Sequence, residues 1–321
     1  MTVDAARSIR RSGLEFDRAM DGLLIIDKPV GPTSHDVVAR ARRALGERRI
    51  GHTGTLDPMA SGVLPLVVGR ATRLARFLSA AEKSYDAVVR LGAQTDSYDA
   101  MGLPVGTRYD GRPPDRTAVE QALEGFRGTF LQQPPIFSAK KIGGIRSHVL
   151  ARQRRLQPET LDTPRPVSVT VTDLQVVGVV EFDVALRLTC SAGFYVRTLA
   201  HDLGERLGIG GHLTSLRRTR SGDLRIEDAI RLDIVVDDPA AAAAAIVPMA
   251  RMLAGLPAAA LSDEGVRRAR HGQSLGPGDL CAPLPAGATG FTRLVDPSGA
   301  LVGVAEPEGD RSVLHPVVIL M

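Results

Sequence analysis

The stretch Gly51-His52-Thr53-Gly54-Thr55-Leu56-Asp57-Pro58-Met59-Ala60-Ser61-Gly62-Val63-Leu64-Pro65 is the densest candidate for chemistry in the chain. Glycines at 51, 54 and 62 permit positive φ and close backbone approach. Pro58 pushes Asp57 out of the helical region into extended backbone. One carboxylate is thereby fixed on a tight loop between apolar segments, the pre-organisation a nucleophile or general base requires. A Gly-rich Asp-Pro loop is also an ordinary structural turn, so both readings stand on these residues alone. A glycosidase would need a second facing carboxylate, which the motif does not supply.

The elements that must hold this loop are legible on both sides of it. Gly22 to Asp27 is a short apolar run stopped by Lys28-Pro29 and reads as a buried strand. A helix follows, capped by Thr33 or Ser34 with Asp36 in its first turn; Val37, Val38, Ala41, Ala44 and Leu45 form its apolar face, and Gly46 ends it. Gly51 to Gly62 reads as a loop. Tyr85 to Leu91 alternates like a half-buried strand. Thr117-x-x-Glu120 reads as a capping box before a stripe of Val119, Ala122, Leu123 and Phe126.

Gln132 to Pro166 is irregular and basic, a mobile insertion by composition. Val167, Val169 and Val171 alternate, as do Phe182, Val184, Leu186 and Leu188. A helix beginning near Thr198 places Leu199, Leu203 and Leu207 inward and stops at Gly208. Asp237 to Ala245 reads as a linker or a poorly specified helix at a domain boundary. Beyond it come a helix near Ser262 to His271 and short strands around the turn Asp296-Pro297-Ser298-Gly299, which suggest a small β-rich domain. Strands and helices do not alternate regularly, so the fold class is α+β with a mainly antiparallel sheet.

Composition narrows the function classes. A length of 321 residues allows one large core plus a small second domain. The longest apolar run, Ala240 to Val247, is far too short to span a membrane. Met1 to Met20 lacks the apolar core of a secretory signal and is expected to be a disordered tail. Two cysteines, Cys190 and Cys281, make neither a disulfide framework nor a zinc cage; they suit a reducing cytosol, and both are expected to be buried. The sequence pI is ≈ 9.4, and the only lysines are Lys28, Lys83, Lys140 and Lys141. Arginine excess suits phosphate and base-edge contacts, although a GC-rich genome produces the same bias.

Taken together, the motifs resemble the TruB-type tRNA pseudouridine synthases. Gly51 to Pro65 is similar to that family's active-site motif almost residue for residue. Gly22 to Pro29 with Gly31, Thr33 and Ser34 resembles its N-terminal motif, and Lys83-Ser84-Tyr85 with Leu91-Gly92 the next. Cys190 to Leu199 with Asp202-Leu203-Gly204 resembles the fourth, and Gly211-His212-Leu213 with Leu216-Arg217-Arg218-Thr219 the fifth. They occur in family order between Gly22 and Gly222, which is far more specific than any one of them.

The resemblance implies a pseudouridine synthase fold over 21–236, including a thumb-like insertion at about 132–166, and a small PUA-like RNA-binding domain over 247–321. It implies isomerisation of uridine 55 in the T-loop of tRNA by a cytoplasmic, monomeric enzyme that needs no metal or cofactor. A tRNA-folding role with incidental catalysis is the alternative. Asp57 matches the catalytic aspartate and Arg197 the arginine that pairs with it. Tyr85 matches the tyrosine that stacks on the target base and is a candidate proton acceptor. Tyr195 and Leu216 match residues lining the uracil pocket, His52 the histidine that enters the vacated T-loop stack, and Lys28 a lysine near the site that is expected, with these, to bind substrate. Lys140, Lys141, Arg146, Arg152, Arg154 and Arg155 fall in the thumb-like insertion and imply RNA backbone contacts. Phe194 replaces the family's usual Thr, His201 its usual acidic residue, and His148 falls near a position that is often aromatic.

Overall fold

Gly22–Lys28 carries apolar side chains toward both of its faces, and it is buried along its whole length except Asp27. A strand of that kind belongs inside a sheet covered on both sides. In the computed structural model, which describes residues 20–135, 141–142, 145–146, 165–284, 290–309 and 313–320, it lies near one end of a large mixed sheet. The strand order is Ile230–Arg231, Gly22–Lys28, Ala60–Val68, Gly211–Ser221, Lys83–Leu91, Asp183–Cys190, Val167–Val180 and Gly128–Gln132. Gly22–Lys28 runs parallel to Ile230–Arg231, and Ala60–Val68 runs parallel to Gly211–Ser221; the other neighbours along this order are antiparallel. The fold is therefore α+β.

One face of the sheet is covered by the helices Ser34–Leu45 and Val196–Arg206, whose apolar stripes join Leu24, Ile26, Leu64, Ala87 and Val89 in the main core. The other face carries Leu23, Ile25, Val63 and Val67, the alternate residues of the same strands. These pack against Met252, Leu301, Val304 and Leu320, so the C-terminal part shares a core with the large sheet. Its own four strands, Ala258–Ala260, Thr292–Val295, Leu301–Glu308 and Val313–Ile319, form a separate small sheet in that order. Val247–Pro248 still belongs to the large sheet, paired with Gly22–Leu23. Among the described residues, no helix is long and apolar enough to cross a membrane.

Several local expectations change. Thr33 caps Ser34–Leu45 with a full capping box to Asp36, and Gly46 takes the left-handed conformation. At the next helix, Arg116–Leu123, the cap is Asp115, whose carboxylate accepts from the Ala118 N–H; Thr117 lies inside the first turn and Glu120 pairs with Arg116. The short acid two residues upstream outcompetes the Thr-x-x-Glu pattern. The helix expected near Thr198 begins at Val196. The alanine run is a helix, Pro239–Ala244, capped by Asp238 and anchored by the buried Ala242. Cys190 is buried, but Cys281 is exposed.

Candidate active site

The Asp57 loop is short because strands consume both its ends. Ile50–His52 pairs antiparallel with Ala60–Val68, His52 opposite Leu66, which leaves residues 53–59 as the connection. The N–H of Thr53 donates to the Pro65 carbonyl at 3.1 Å, that of Ala60 to the Asp57 carbonyl at 3.0 Å, and that of Gly31 to the Pro58 carbonyl at 2.8 Å. Ser34 Oγ donates to the Leu56 carbonyl at 3.0 Å and accepts from the Leu56 N–H at 2.9 Å. Arg218 donates through Nε to the Val63 carbonyl at 2.6 Å and through Nη2 to the Gly54 carbonyl at 3.0 Å. Of the three loop glycines only Gly62 has positive φ, +99°, and a Cβ there would lie 2.2 Å from the Arg218 carbonyl oxygen. Gly51 and Gly54 do not use the left-handed region.

Arg197, in the first turn of Val196–Arg206, meets Asp57 side-on. Its Nε is 2.9 Å from Oδ2, and its Nη2 donates to Oδ1 at 3.4 Å. The guanidinium side chain is 6% exposed and the carboxylate side chain 34%, so the acid faces open space while its partner is fixed behind it. Nη1 of Arg197 donates to the Ser97 carbonyl at 3.0 Å and lies 3.7 Å from Oδ2 of Asp99. Asp99 is buried and went unnoticed in the sequence, because nothing in a turn-rich segment marks one aspartate among several.

Asp57 opens into a cleft of about 430 Å³, within the range of small-molecule sites. His52, Tyr85, Tyr195, Arg197 and Leu216 line it with Asp57, as do Lys83 and Arg218, to which the sequence had assigned no role. The backbone of Tyr195 is clamped by the buried Gln132, whose Oε1 accepts from its N–H at 2.8 Å and whose Nε2 donates to its carbonyl at 3.0 Å. Burial raises the Tyr85 phenol above its ordinary pKa, although Arg218 opposes this. Burial lowers His52, with His35 and Arg218 adding to the effect; its ring meets His35 edge-on at 5.4 Å, and its Nδ1 is buried without a hydrogen-bond partner.

Lys28, expected to contact substrate, is not on the cleft wall. It is wholly buried, and Nζ donates to the carbonyls of Pro29 at 2.9 Å and Ala60 at 2.7 Å. Burial brings its pKa down to about 8, with Asp57 opposing and Arg218 reinforcing the shift. Lys83 is likewise brought down to about 8 by burial and then Arg218, and donates to the carbonyls of Ser79 and Ala81. Phe194 meets Phe130 edge-on at 6.3 Å, so the ring is absorbed into packing. In the insertion, Lys141–Ile142 pairs with Ile145–Arg146, Lys141 opposite Arg146. The side chains of those two residues, and Lys140, His148, Arg152, Arg154 and Arg155 entirely, lie outside the described residues, as do residues 1–19.

Known proteins resemble the chain over most of its length. The TruB family pseudouridylate synthase N-terminal domain matches residues 42–196, and the tRNA pseudouridylate synthase B C-terminal domain matches residues 197–254. The tRNA pseudouridine synthase B of Solibacter usitatus (strain Ellin6076) is 40% identical over 305 residues, 94% of this chain and 100% of that protein. That of Thermobifida fusca (strain YX) is 41% identical over 93% of this chain and 98% of its own length. Among solved structures, a Cbf5-Nop10-Gar1 complex matches with a TM-score of 0.73 and 28% identity, covering 94% of this chain and 86% of that chain. An H/ACA RNP bound to a substrate RNA containing 2'-deoxyuridine matches with a TM-score of 0.70 and 26% identity over the same shares.

Proposed function

Since the chain belongs to the TruB family and is a tRNA pseudouridine synthase, we propose that its cleft receives uridine 55 of the T-loop, turned out of the stack, with Asp57 as the reacting carboxylate. The observation that carries this reading is the side-on pairing of Asp57 with a buried Arg197 at the floor of the cleft. The guanidinium aims the carboxylate, while the exposed oxygen face is left for the ribose. The C1′–N1 bond breaks with the uracil leaving as the anion; Asp57 meets the electron deficiency at C1′, by bonding to it or by removing the C2′ proton, and is restored when C5 takes its place. The base turns in place, and C5 bonds to C1′. The hydrogen on C5 is then lost as a proton, and N1 gains one. Atoms balance within one nucleotide, which is why a single carboxylate suffices.

Tyr85 and Leu216 form the faces between which the pyrimidine turns. A raised phenol pKa keeps the Tyr85 ring neutral near pH 7, which suits a stacking face better than a proton acceptor. His52, on the cleft wall beside His35, fills the stack that the everted base leaves, which offsets part of an extrusion cost of about a few kcal/mol. The lowered pKa of His52 keeps its ring neutral for that role. We read the basic insertion around Lys140, Lys141, Arg146, Arg152, Arg154 and Arg155 as a thumb that contacts RNA phosphates. The small C-terminal sheet is read as a PUA-like unit that meets the tRNA outside the cleft; its β-rich make-up supports this.

Release of tritium from tRNA carrying C5-labelled uridine tests the mechanism. Asp57→Asn should abolish release while leaving tRNA binding within about twofold, because RNA affinity comes mostly from backbone contacts. Release by Asp57→Asn at the parent rate would remove Asp57 from the chemistry.

A further inference from the structure

Arg197 and His201 lie four residues apart on Val196–Arg206, so their side chains leave one face of the helix a turn from each other. Both meet the same loop. Arg197 Nη1 takes the Ser97 carbonyl at 3.0 Å and stands 3.7 Å from Asp99 Oδ2. Between these two loop residues comes Tyr98, and its ring lies flat on His201, with centroids 3.9 Å apart and planes 9° from parallel. The helix thus grips the loop at two points, one ionic and one aromatic.

The aromatic point has something to hold. Tyr98 has φ +64°, in the left-handed region that a bulky residue leaves unless its surroundings keep it there. Its carbonyl accepts from the Leu213 N–H at 2.9 Å, and the Ala100 N–H donates to the Leu213 carbonyl at 2.9 Å. Inside the loop, Thr95 Oγ1 donates to the Asp99 carbonyl and Ser97 Oγ to Asp99 Oδ1, each at 2.7 Å. His201 Nδ1 is buried without a hydrogen-bond partner, so what His201 gives the loop is the face of its ring. Were Tyr98 to relax, the Ser97 carbonyl and the Asp99 carboxylate on either side of it would move, and both are the acceptors that seat Arg197.

We propose that Tyr98 and His201 are positioning residues for the isomerisation: their stack fixes the Ser97–Asp99 turn, which in turn seats the Arg197 guanidinium against Asp57. Neither residue touches the nucleotide. The proposal rests on the reading of Asp57 as the reacting carboxylate. His201, a departure from the family's usual acidic residue, then has a purpose in this chain.

Single-turnover isomerisation of tRNA at saturating enzyme, with tRNA Kd measured in parallel, tests it. We expect His201→Ala and Tyr98→Ala to slow the chemical step about tenfold at unchanged Kd, and His201→Phe and Tyr98→Phe, which keep the stack, to stay within about twofold of the parent. Tyr98→Gly, which has no ring but adopts positive φ freely, should recover part of the rate that Tyr98→Ala loses. The double alanine variant should be no slower than the slower single, since one stack is lost either way. Parent rates in the alanine variants would overturn the proposal. So would a loss matched by weaker tRNA binding, or one that the phenylalanine variants share. Asp57→Asn in the same assay separates the two levels: an active Asp57→Asn refutes the underlying reading, whereas an inactive one beside unaffected stack variants refutes only the positioning role.

Discussion

Ser34 holds both backbone polar groups of Leu56: the one hydroxyl donates to the Leu56 carbonyl at 3.0 Å and accepts from the Leu56 N–H at 2.9 Å. Leu56 directly precedes Asp57, so the first residue of the Ser34–Leu45 helix fixes the backbone from which the carboxylate hangs. Ser34 is buried, and so is Leu56. Ser34→Ala would leave a buried donor and a buried acceptor unpaired, and we expect a loss of about 2 kcal/mol in urea denaturation, with turnover down by about tenfold. An unchanged midpoint would mean that water replaces the hydroxyl and that the clasp contributes nothing.

Arg218 holds the other end of the loop. The residue is 1% exposed, and its guanidinium reaches the Gly54 and Val63 carbonyls with different nitrogens. A lysine ammonium is a single point and cannot span that fork. Arg218→Lys should therefore cost roughly 2 kcal/mol in denaturation and slow tritium release, even though the charge is kept. Parent-like release would show that charge alone, and not the fork, supports the loop.

The sheet strands were legible because apolar alternation and short buried runs survive into the fold unchanged, as at Lys83–Leu91 and Gly22–Lys28. Asp57 and Arg197 were found by resemblance to a family; the Gly-rich loop alone fitted an ordinary turn equally well. What could not be read was whatever depends on distant segments meeting. Asp99 reaches Arg197 only because the Thr95–Gly102 loop folds over a helix about a hundred residues later, as in the Arg197 to Ser97 bond. Arg218 stood in the fifth motif without a role of its own, and only strand register, which sets it opposite Tyr85, takes it inside. Lys28 was placed near the substrate by its match to the family's Lys-Pro element; here the Pro29 and Ala60 carbonyls hold it beneath.

Gly62 separates conformational strain from collision. Its φ is +99°, and an added Cβ would sit 2.2 Å from the Arg218 carbonyl oxygen, a backbone atom that cannot swing away. Gly46 also has positive φ, +66°, with nothing within 4 Å of such an atom. Gly46→Ala should cost about 1 kcal/mol, and Gly62→Ala more than about 3 kcal/mol, by thermal or urea unfolding. Equal costs would show that the sheet shifts to admit the methyl group.

Lys28 makes stability depend on pH in a definite direction. Burial takes its pKa from 10.5 down to about 8 in the folded chain, and the unfolded chain returns it to the ordinary value. Below about 8 both states hold the proton, and Lys28 adds no slope. Between about 8 and 10.5 the unfolded chain keeps a proton that the folded chain has released, so unfolding free energy rises with pH across that window. Lys28→Met has no such group. The parent should therefore gain stability relative to Lys28→Met as pH climbs from 8 to 10.5, by an amount on the order of 3 kcal/mol if the full shift is expressed. Urea denaturation of both proteins at intervals through the window checks this, because Tyr85, Lys83 and the cysteines are common to the two and cancel in the difference. A difference that stays flat would place the folded-state pKa near its ordinary value, with Lys28 still charged under the loop. A difference that falls would mean that the charged form is favoured there, through Asp57, over the burial that opposes it.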